Sequence, residues 1–124
     1  MNAQIHVFRV LTVGWMALIF LLSSQSSVSA PMLFSGTDKL LHALCYGILG
    51  FFLARSFVPP IVTTWNRVLL VTALVTAYGI ADEYHQWYVP RREASGWDAL
   101  ADGVGGFIVT WTMLWRHRHI AVSA

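Results

Sequence analysis

Residues able to do acid–base or binding chemistry gather in two short stretches of the chain. Residues 82–102 contain five of its six carboxylates, and the sixth begins the stretch "DKLLH" further upstream. Glu83 and Gln86 are three residues apart, and His42 and Tyr46 are four apart. Each pair therefore shares one face if its segment is helical. A carboxylate within reach of a histidine is a common arrangement for general acid–base catalysis.

The candidate site residues fall into two chemical groups. Glu83, His42 and Asp102 are the candidates for a general acid or base. The cations of the same stretches could bind an anionic group, arginine through its bidentate fork. The complete set predicted to line a binding site is Asp38, Lys39, His42, Tyr46, Glu83, Gln86, Arg91, Arg92, Asp98 and Asp102.

The spacing of these residues does not match a known metal or nucleophile motif. No HExxH pattern is present, and His85 lies two residues from Glu83, nearly across a helix from it. The single cysteine, Cys45, lies in an apolar run, so no thiolate metal site is expected. A Ser-His-Asp arrangement of Ser24 or Ser95 with His42 has no motif behind it. The sequence therefore predicts no metal ion and no cofactor.

Several of these residues also have ordinary structural explanations. Asp38 follows Thr37 at a predicted helix start, so either residue could be an N-cap. Ser95 and Asp98 have the spacing of a capping box. Glu83 lies too far into its helix to be a cap, so its structural alternative is an ion pair with a nearby cation that holds the helices together.

Composition indicates a membrane protein. Of the 124 residues, 56% are hydrophobic and only 11% are charged, against about 25% charged in a soluble domain. The net charge of +2 is small and scattered, which argues against nucleic-acid binding. Four apolar segments, each long enough to cross a bilayer, predict an all-α integral membrane four-helix bundle as a single domain. The predicted helices cover about residues 5–22, 39–57, 68–88 and 98–115 of the domain 1–124.

Cations favour one side of this bundle, which sets its predicted orientation. With the N-terminus inside, five arginines fall on the cytoplasmic side and three cations on the outer side. We therefore expect both termini in the cytoplasm and a multi-pass integral membrane protein. The alternative for the first segment is a secretory signal ending in "VSA" at 28–30, which Pro31 disfavours as a cleavage site.

This topology brings distant polar residues to one side of the membrane. The second and fourth helices begin at the outer face, and the third helix ends there. Glu83 lies roughly 22 Å along its helix from Val68, in the outer third of a hydrocarbon core about 30 Å thick. An ionisable group at that depth is expected to face the bundle interior. We therefore predict an extracytoplasmic polar pocket, with Asp82 turned away from it by about 100°.

Two stretches give the chain a resemblance to a known family. "DKLLHALCYGILG" at 38–50 reads as Asp-Lys-x-x-His-x-x-x-Tyr before a glycine-containing helix. "EYHQWYVPRREASGWDALADGVGG" at 83–106 reads as Glu-x-x-Gln, Pro then Arg, and Ser before Asp. Together with Ser-Ser-Gln-Ser at 23–26, they resemble the VanZ-like family. The pattern matches Asp38, Lys39, His42, Tyr46, Glu83, Gln86, Arg92, Asp98 and Asp102.

The resemblance implies a role in the cell envelope, linked to resistance to glycopeptide antibiotics of the teicoplanin type. Two positions depart from the family pattern. Family members commonly have Asn at the position of Asp102, and often Gly before the arginine, where this chain has Arg91 followed by Arg92. Either arginine could therefore be the matching one.

Three functions remain open on the sequence. The first is binding of a lipid or lipid-linked cell-wall headgroup in the polar pocket. The second is a membrane-embedded acid–base enzyme that acts on such a substrate. The third is a structural assembly subunit. The lipid bilayer is the expected partner, nucleic acid is not, and the sequence leaves the oligomeric state open.

Overall fold

The computed structural model of the chain describes residues 2–26, 36–57 and 64–122, and within them it contains four α-helices and no strand. The helices are α1 (Asn2–Ser23), α2 (Thr37–Ser56), α3 (Thr64–Gln86) and α4 (Gly96–Val122). The prediction of an all-helical chain with four helices is confirmed. The alternative signal-cleavage site at residues 28–31 lies outside the described residues.

Several of the predicted helix boundaries need correction. The first and third helices begin at Asn2 and Thr64, earlier than the predicted residues 5 and 68. The third helix ends at Gln86, not at residue 88. The amides of Tyr88 and Val89 bond carbonyls three residues back, which tightens the chain ahead of Pro90, where helical geometry is disfavoured. The fourth helix begins at Gly96 and continues to Val122, beyond the predicted end at 115. The end of an apolar run marked where the membrane segment was expected to stop, but the helix continues through the basic residues that follow.

The start of α2 differs from the predicted cap. Gly36 occupies the N-cap position with φ 94°, and no side chain caps the helix there. A left-handed backbone suits glycine, which has no Cβ. Thr37 and Asp38 lie in the first turn, so the N-cap prediction for them was wrong. An acid in that turn still interacts favourably with the positive end of the helix dipole.

Glycines allow the second and fourth helices to approach closely. A Cβ on Gly47 would meet Val109 at 3.0 Å, and one on Gly50 would meet the Cα of Gly106 at 3.1 Å. A Cβ on Gly105 would overlap the Ala43 carbonyl oxygen. Small residues at such contacts bring helix backbones together and increase van der Waals contact. The α2–α4 pair is therefore packed at backbone distance.

Consecutive helices run in opposite directions, so α2 and α4 are parallel to each other, and the two ends of the bundle carry different side chains. Where α1 begins and α2 ends, the Arg9 guanidinium donates to the Ser56 carbonyl at 3.4 Å, and Arg55 lies over the Phe8 ring. We call the opposite end, where α1 and α3 end and α2 and α4 begin, the polar end. Between the two ends lies an apolar core that includes Ile19, Leu49, Val71 and Val75.

Two of the helices are long and apolar enough to cross a membrane. They are Ala3–Ser23 and Thr37–Ser56, and they satisfy this condition by length and composition alone. The third and fourth helices carry more polar side chains along their length, including the acids of the polar end.

Candidate functional site

The polar end gathers charged side chains from α2, α3, α4 and the loop between α3 and α4. All six carboxylates of the chain lie in its elements, together with three of the eight cations. The carboxylates belong to Asp38 on α2, Asp82 and Glu83 on α3, Glu93 in the α3–α4 loop, and Asp98 and Asp102 on α4. The cations are Lys39, Arg91 and Arg92. With neutral histidines, acids outnumber bases at this end by two to one.

His42 lies at the centre of the cluster and contacts two of the carboxylates. Its Nδ1 atom is 3.0 Å from Asp102 Oδ1 and 3.9 Å from Glu83 Oε1. Asp102 is fully buried, and its carboxylate fits against α3 because residue 79 there is glycine, where any Cβ would overlap it. The structure thus brings together the three acid–base candidates from three different helices.

Glu83 also organises the start of α4. The Ser95 carbonyl accepts bonds from the amides of Asp98 and Ala99, which places Ser95 at the N-cap position. In a capping box, the acid three residues later would accept the Ser95 amide. Here that amide donates to Glu83 Oε2 at 2.7 Å, so the capping-box prediction was wrong. Asp98 is left free to face α2.

Asp98 and Asp38 share one lysine. The Lys39 ammonium lies 2.8 Å from Asp38 Oδ2 and 3.4 Å from Asp98 Oδ1. The side chain of Asp98 is only 11% exposed, whereas those of Lys39 and Asp38 are more than 40% exposed. Asp98 is therefore a buried acid whose lysine partner is exposed to solvent. An ion pair with an exposed partner contributes little to stability.

Asp82 corrects a prediction. It was expected to point away from the pocket, yet it is buried, with 5% of its surface exposed. Its Oδ1 accepts a hydrogen bond from the Ser23 hydroxyl at 2.5 Å, and its Oδ2 accepts one from the Gln86 amide at 3.0 Å. The end of α1 covers this face of α3, and the position of α1 could not be read from the third segment alone. The Tyr46 hydroxyl lies close to Asp82 without a hydrogen bond of ordinary geometry.

A second contact between α1 and α3 was also missed. The Ser24 hydroxyl lies 3.0 Å from His85 Nε2 and donates to the Phe20 carbonyl at 2.6 Å. The His85 ring packs on the Phe20 ring, with centroids 4.6 Å apart. The "SSQS" stretch at the end of the first helix was the available signal, because two of its hydroxyls bond α3 side chains. Ser24 had been considered with His42, but its partner is His85.

A cavity opens beside the cluster at the polar end. Its volume is about 560 Å³, and both polar and apolar side chains line it. The apolar part includes Ile19, Leu22, Leu41 and Cys45. The polar part includes the predicted site residues Asp38, His42, Tyr46, Gln86, Arg91, Arg92 and Asp98, together with Ser23, Ser26, Asp82 and Glu93. Such a mixture suits a ligand that combines an apolar portion with a polar group.

Several buried acceptors at the polar end lack a hydrogen bond. Among the described residues these are Glu83 Oε1, Asp98 Oδ1 and Asp102 Oδ2. Each belongs to a carboxyl group with at most 8% of its residue surface exposed. Buried polar atoms are normally satisfied, and one left unsatisfied costs roughly 1–3 kcal/mol. The arrangement can therefore receive a cation, or the hydroxyl or amine protons of a ligand.

No protein-family model, curated protein or solved structure matched the chain when it was compared with them. The resemblance to the VanZ-like family therefore depends on the two motifs and their order, and it stays a prediction.

Proposed function

We propose that the chain is an integral membrane protein whose polar end binds the headgroup of a lipid or of a lipid-linked cell-wall precursor. The observation that carries this proposal is the distribution of polarity. Carboxylates are buried between helices at one end, while large apolar side chains on all four helices face outward. A soluble monomer exposes apolar patches of only a few hundred Å², so a hydrocarbon environment explains this surface better.

Most of the surface of α1 is apolar and exposed. Within α1 only Thr12, Ile19 and Ser23 are buried among the residues whose burial is described. Val10, Val13 and Leu21 are each at least 60% exposed. An apolar helix of this length on the outside of a bundle is stable where lipid covers it.

In this proposal the other three helices also cross the bilayer. They pack against one another, with α3 antiparallel to α2 and α4. Helix α3, with 23 residues, is about 34 Å long, enough for a hydrocarbon core of about 30 Å. Its acids face other helices, which avoids the cost of exposing them to lipid. The four-helix arrangement thus supports a bundle that crosses the membrane four times.

The orientation is proposed from charge. The end opposite the polar end carries Arg9, Arg55, Arg67 and Arg116 without a carboxylate. Cytoplasmic loops and termini are enriched in such cations. We therefore place both termini in the cytoplasm and the polar end on the extracytoplasmic side of the bacterial inner membrane.

The cavity supports a headgroup as the ligand. It lies where a lipid headgroup would reach in this orientation, and its apolar lining comes from α1 and α2. Arg91 and Arg92 line it and could bind a phosphate. The acids that also line it would accept bonds from hydroxyl or amine groups of the same headgroup. A link to glycopeptide resistance of the teicoplanin type follows only from the family resemblance.

The backbone of Arg91 supports one detail of that resemblance. Arg91 has φ 66°, a left-handed conformation that favours glycine. The family pattern often has glycine before its arginine, so the geometry favours Arg92 as the matching residue. Arg92 is also the more buried of the two.

A membrane-embedded acid–base enzyme is the second candidate function. The observation that favours it is the position of His42 between Asp102 and Glu83, with a ring nitrogen within 4 Å of an oxygen of each. A histidine held by one carboxylate and close to another could move a proton to or from a bound substrate. A purely structural role of the cluster is the third outcome of the test below.

Mass spectrometry of co-purified lipid tests these functions together. Binding predicts that a lipid retained by the wild type is lost with Arg92→Ala, while protein abundance and melting temperature stay unchanged. An enzyme predicts that Glu83→Gln keeps lipid retention but changes the chemical form of the lipid recovered. A structural cluster predicts that both variants reduce abundance. If wild type and Arg92→Ala retain the same lipids in the same amounts, the headgroup proposal fails.

A further inference from the structure

A group of potential metal ligands lies at the polar end, although no sequence motif predicted it. The group consists of His42, Glu83 and Asp98. Each comes from a different helix. One ring nitrogen of His42 and one carboxylate oxygen from each acid all lie within 4.8 Å of one another. Of these residues, His42 and Glu83 approach to 3.9 Å between Nδ1 and Oε1. Packing of three helices, rather than local spacing, brings these atoms together.

Orphaned oxygens within this group provide an independent indication of a bound cation. Glu83 Oε1 and Asp98 Oδ1 are buried and accept no hydrogen bond. Glu83 and Asp98 are 7% and 8% exposed. The cation beside Asp98 Oδ1 is Lys39, 3.4 Å away, whose side chain is 44% exposed and lies closer to Asp38. Glu83 Oε1 therefore has no hydrogen-bond donor, and Asp98 Oδ1 has only this exposed and shared lysine as a partner.

The net charge of the surroundings also favours a cation. The polar end carries six carboxylates against three basic side chains. Asp82 is satisfied by Ser23 and Gln86, so it does not compete with this group for a donor. Two acids as ligands would neutralise a divalent ion.

We propose that His42, Glu83 and Asp98 bind a divalent transition-metal ion at the polar end. One imidazole and two carboxylates form a donor set suited to Mn²⁺ or Zn²⁺. Metal–ligand bonds of about 2.0–2.2 Å place ligand atoms roughly 3–3.5 Å apart, so the group must contract by about 1 Å. Its side chains can do this by small rotations. Asp102 Oδ1 lies 3.0 Å from His42 Nδ1, so Asp102 orients the ring through the Nδ1 proton if Nε2 binds the ion, and becomes a further carboxylate beside the ion if Nδ1 binds it.

The ion would be open to the cavity. His42 and Asp98 both line it, so water or a ligand atom could complete the coordination from that side. The metal site does not depend on the headgroup proposal, since the donors and the orphaned oxygens belong to the protein alone.

Binding of Mn²⁺ to the purified full chain tests the site. The protein is prepared in detergent without a histidine tag, stripped with EDTA, and titrated with MnCl₂ while electron paramagnetic resonance measures free Mn²⁺. We expect saturable binding of one ion per chain, displaced by Zn²⁺, with a nitrogen coupling in the bound spectrum that is absent in His42→Gln. Glu83→Gln and Asp98→Asn should each weaken binding by at least about tenfold.

The matched control is Glu93→Gln, which removes an exposed acid from the wall of the same cavity. It should change the affinity less than about twofold, because an exposed charge acts only through screened electrostatics. Absence of saturable binding by folded wild-type protein overturns the proposal. An equal loss of Mn²⁺ affinity in Glu93→Gln and Glu83→Gln also overturns it, because that result would indicate diffuse attraction of the ion to an acidic surface. The melting temperature of each variant without metal shows that it is folded.

Discussion

Because of the Glu83–Ser95 hydrogen bond, two substitutions of Glu83 should differ in their effect on stability. Glu83 Oε2 accepts the Ser95 amide at 2.7 Å, a bond that holds the start of α4 against α3. Hydrogen bonds to charged groups contribute about 1.5–3 kcal/mol. Glu83→Ala removes this bond and some buried side-chain volume, and it leaves the Ser95 amide without its acceptor. We expect it to lower the free energy of unfolding by about 2–4 kcal/mol.

Glu83→Gln should cost much less. The glutamine carbonyl can accept the Ser95 amide in place of Oε2. Its amide group also replaces Oε1, an orphaned buried oxygen. The loss should therefore stay under about 1 kcal/mol. Glu93→Ala, at an exposed position of the following loop, is the control and should fall within about 0.5 kcal/mol of the wild type.

Unfolding in mixed detergent–SDS micelles, followed by tryptophan fluorescence, measures these differences. The expected order of stability is wild type and Glu93→Ala first, then Glu83→Gln, with Glu83→Ala well below. Equal destabilisation by Gln and Ala would refute the reasoning, because it would mean that the charge, not the bond to Ser95, stabilises the bundle. An alanine variant as stable as the wild type would show that the bond contributes nothing.

Substitutions at Gly105, Arg91 and Asp102 test the packing, the loop and the buried carboxylate. Gly105→Ala should destabilise the bundle by about 1–3 kcal/mol through overpacking, as measured by the same unfolding titration, whereas Gly14→Ala, with open space around it, should not. Arg91→Gly should leave stability unchanged or raise it by up to about 1 kcal/mol, because it relieves a left-handed backbone at φ 66°; a clear loss would contradict this. Asp102→Asn should retain the contact with His42 and cost about 1 kcal/mol or less, whereas Asp102→Ala should cost about 2–3 kcal/mol in thermal unfolding, since it leaves a cavity and an unpaired ring nitrogen. Equal effects of Asn and Ala would show that the contact is unimportant.

The sequence was sufficient to predict the helices and the convergence of their polar ends. Apolar runs of membrane-spanning length marked four helices, and their antiparallel order determined which ends meet. Spacing within one helix also gave correct faces, since His42 stacks in parallel with Tyr46 at 6.2 Å between ring centroids. Local periodicity was enough for these features because each involves a single helix or a simple alternation of direction.

Contacts between helices were the part that the sequence could not supply. Asp82 was assigned to the outside because its face differs from that of Glu83, but α1 packs on that face and Ser23 bonds it. A capping box in its own helix was one of two explanations left open for Asp98, yet Glu83 takes the amide in question. The group of His42, Glu83 and Asp98 depends on the relative rotation of three helices. No spacing rule within one segment encodes that rotation.

The central claim is that the polar end lies on the extracytoplasmic side of a membrane that the bundle crosses. Labelling with a membrane-impermeant maleimide in spheroplasts tests it most directly. In a Cys45→Ala background, Glu93→Cys places a thiol at the polar end, and Arg116→Cys places one toward the opposite end, both at exposed positions. We expect Glu93→Cys to be labelled in intact spheroplasts and Arg116→Cys to be labelled only after permeabilisation. The reverse pattern, or labelling of both without permeabilisation, would contradict it.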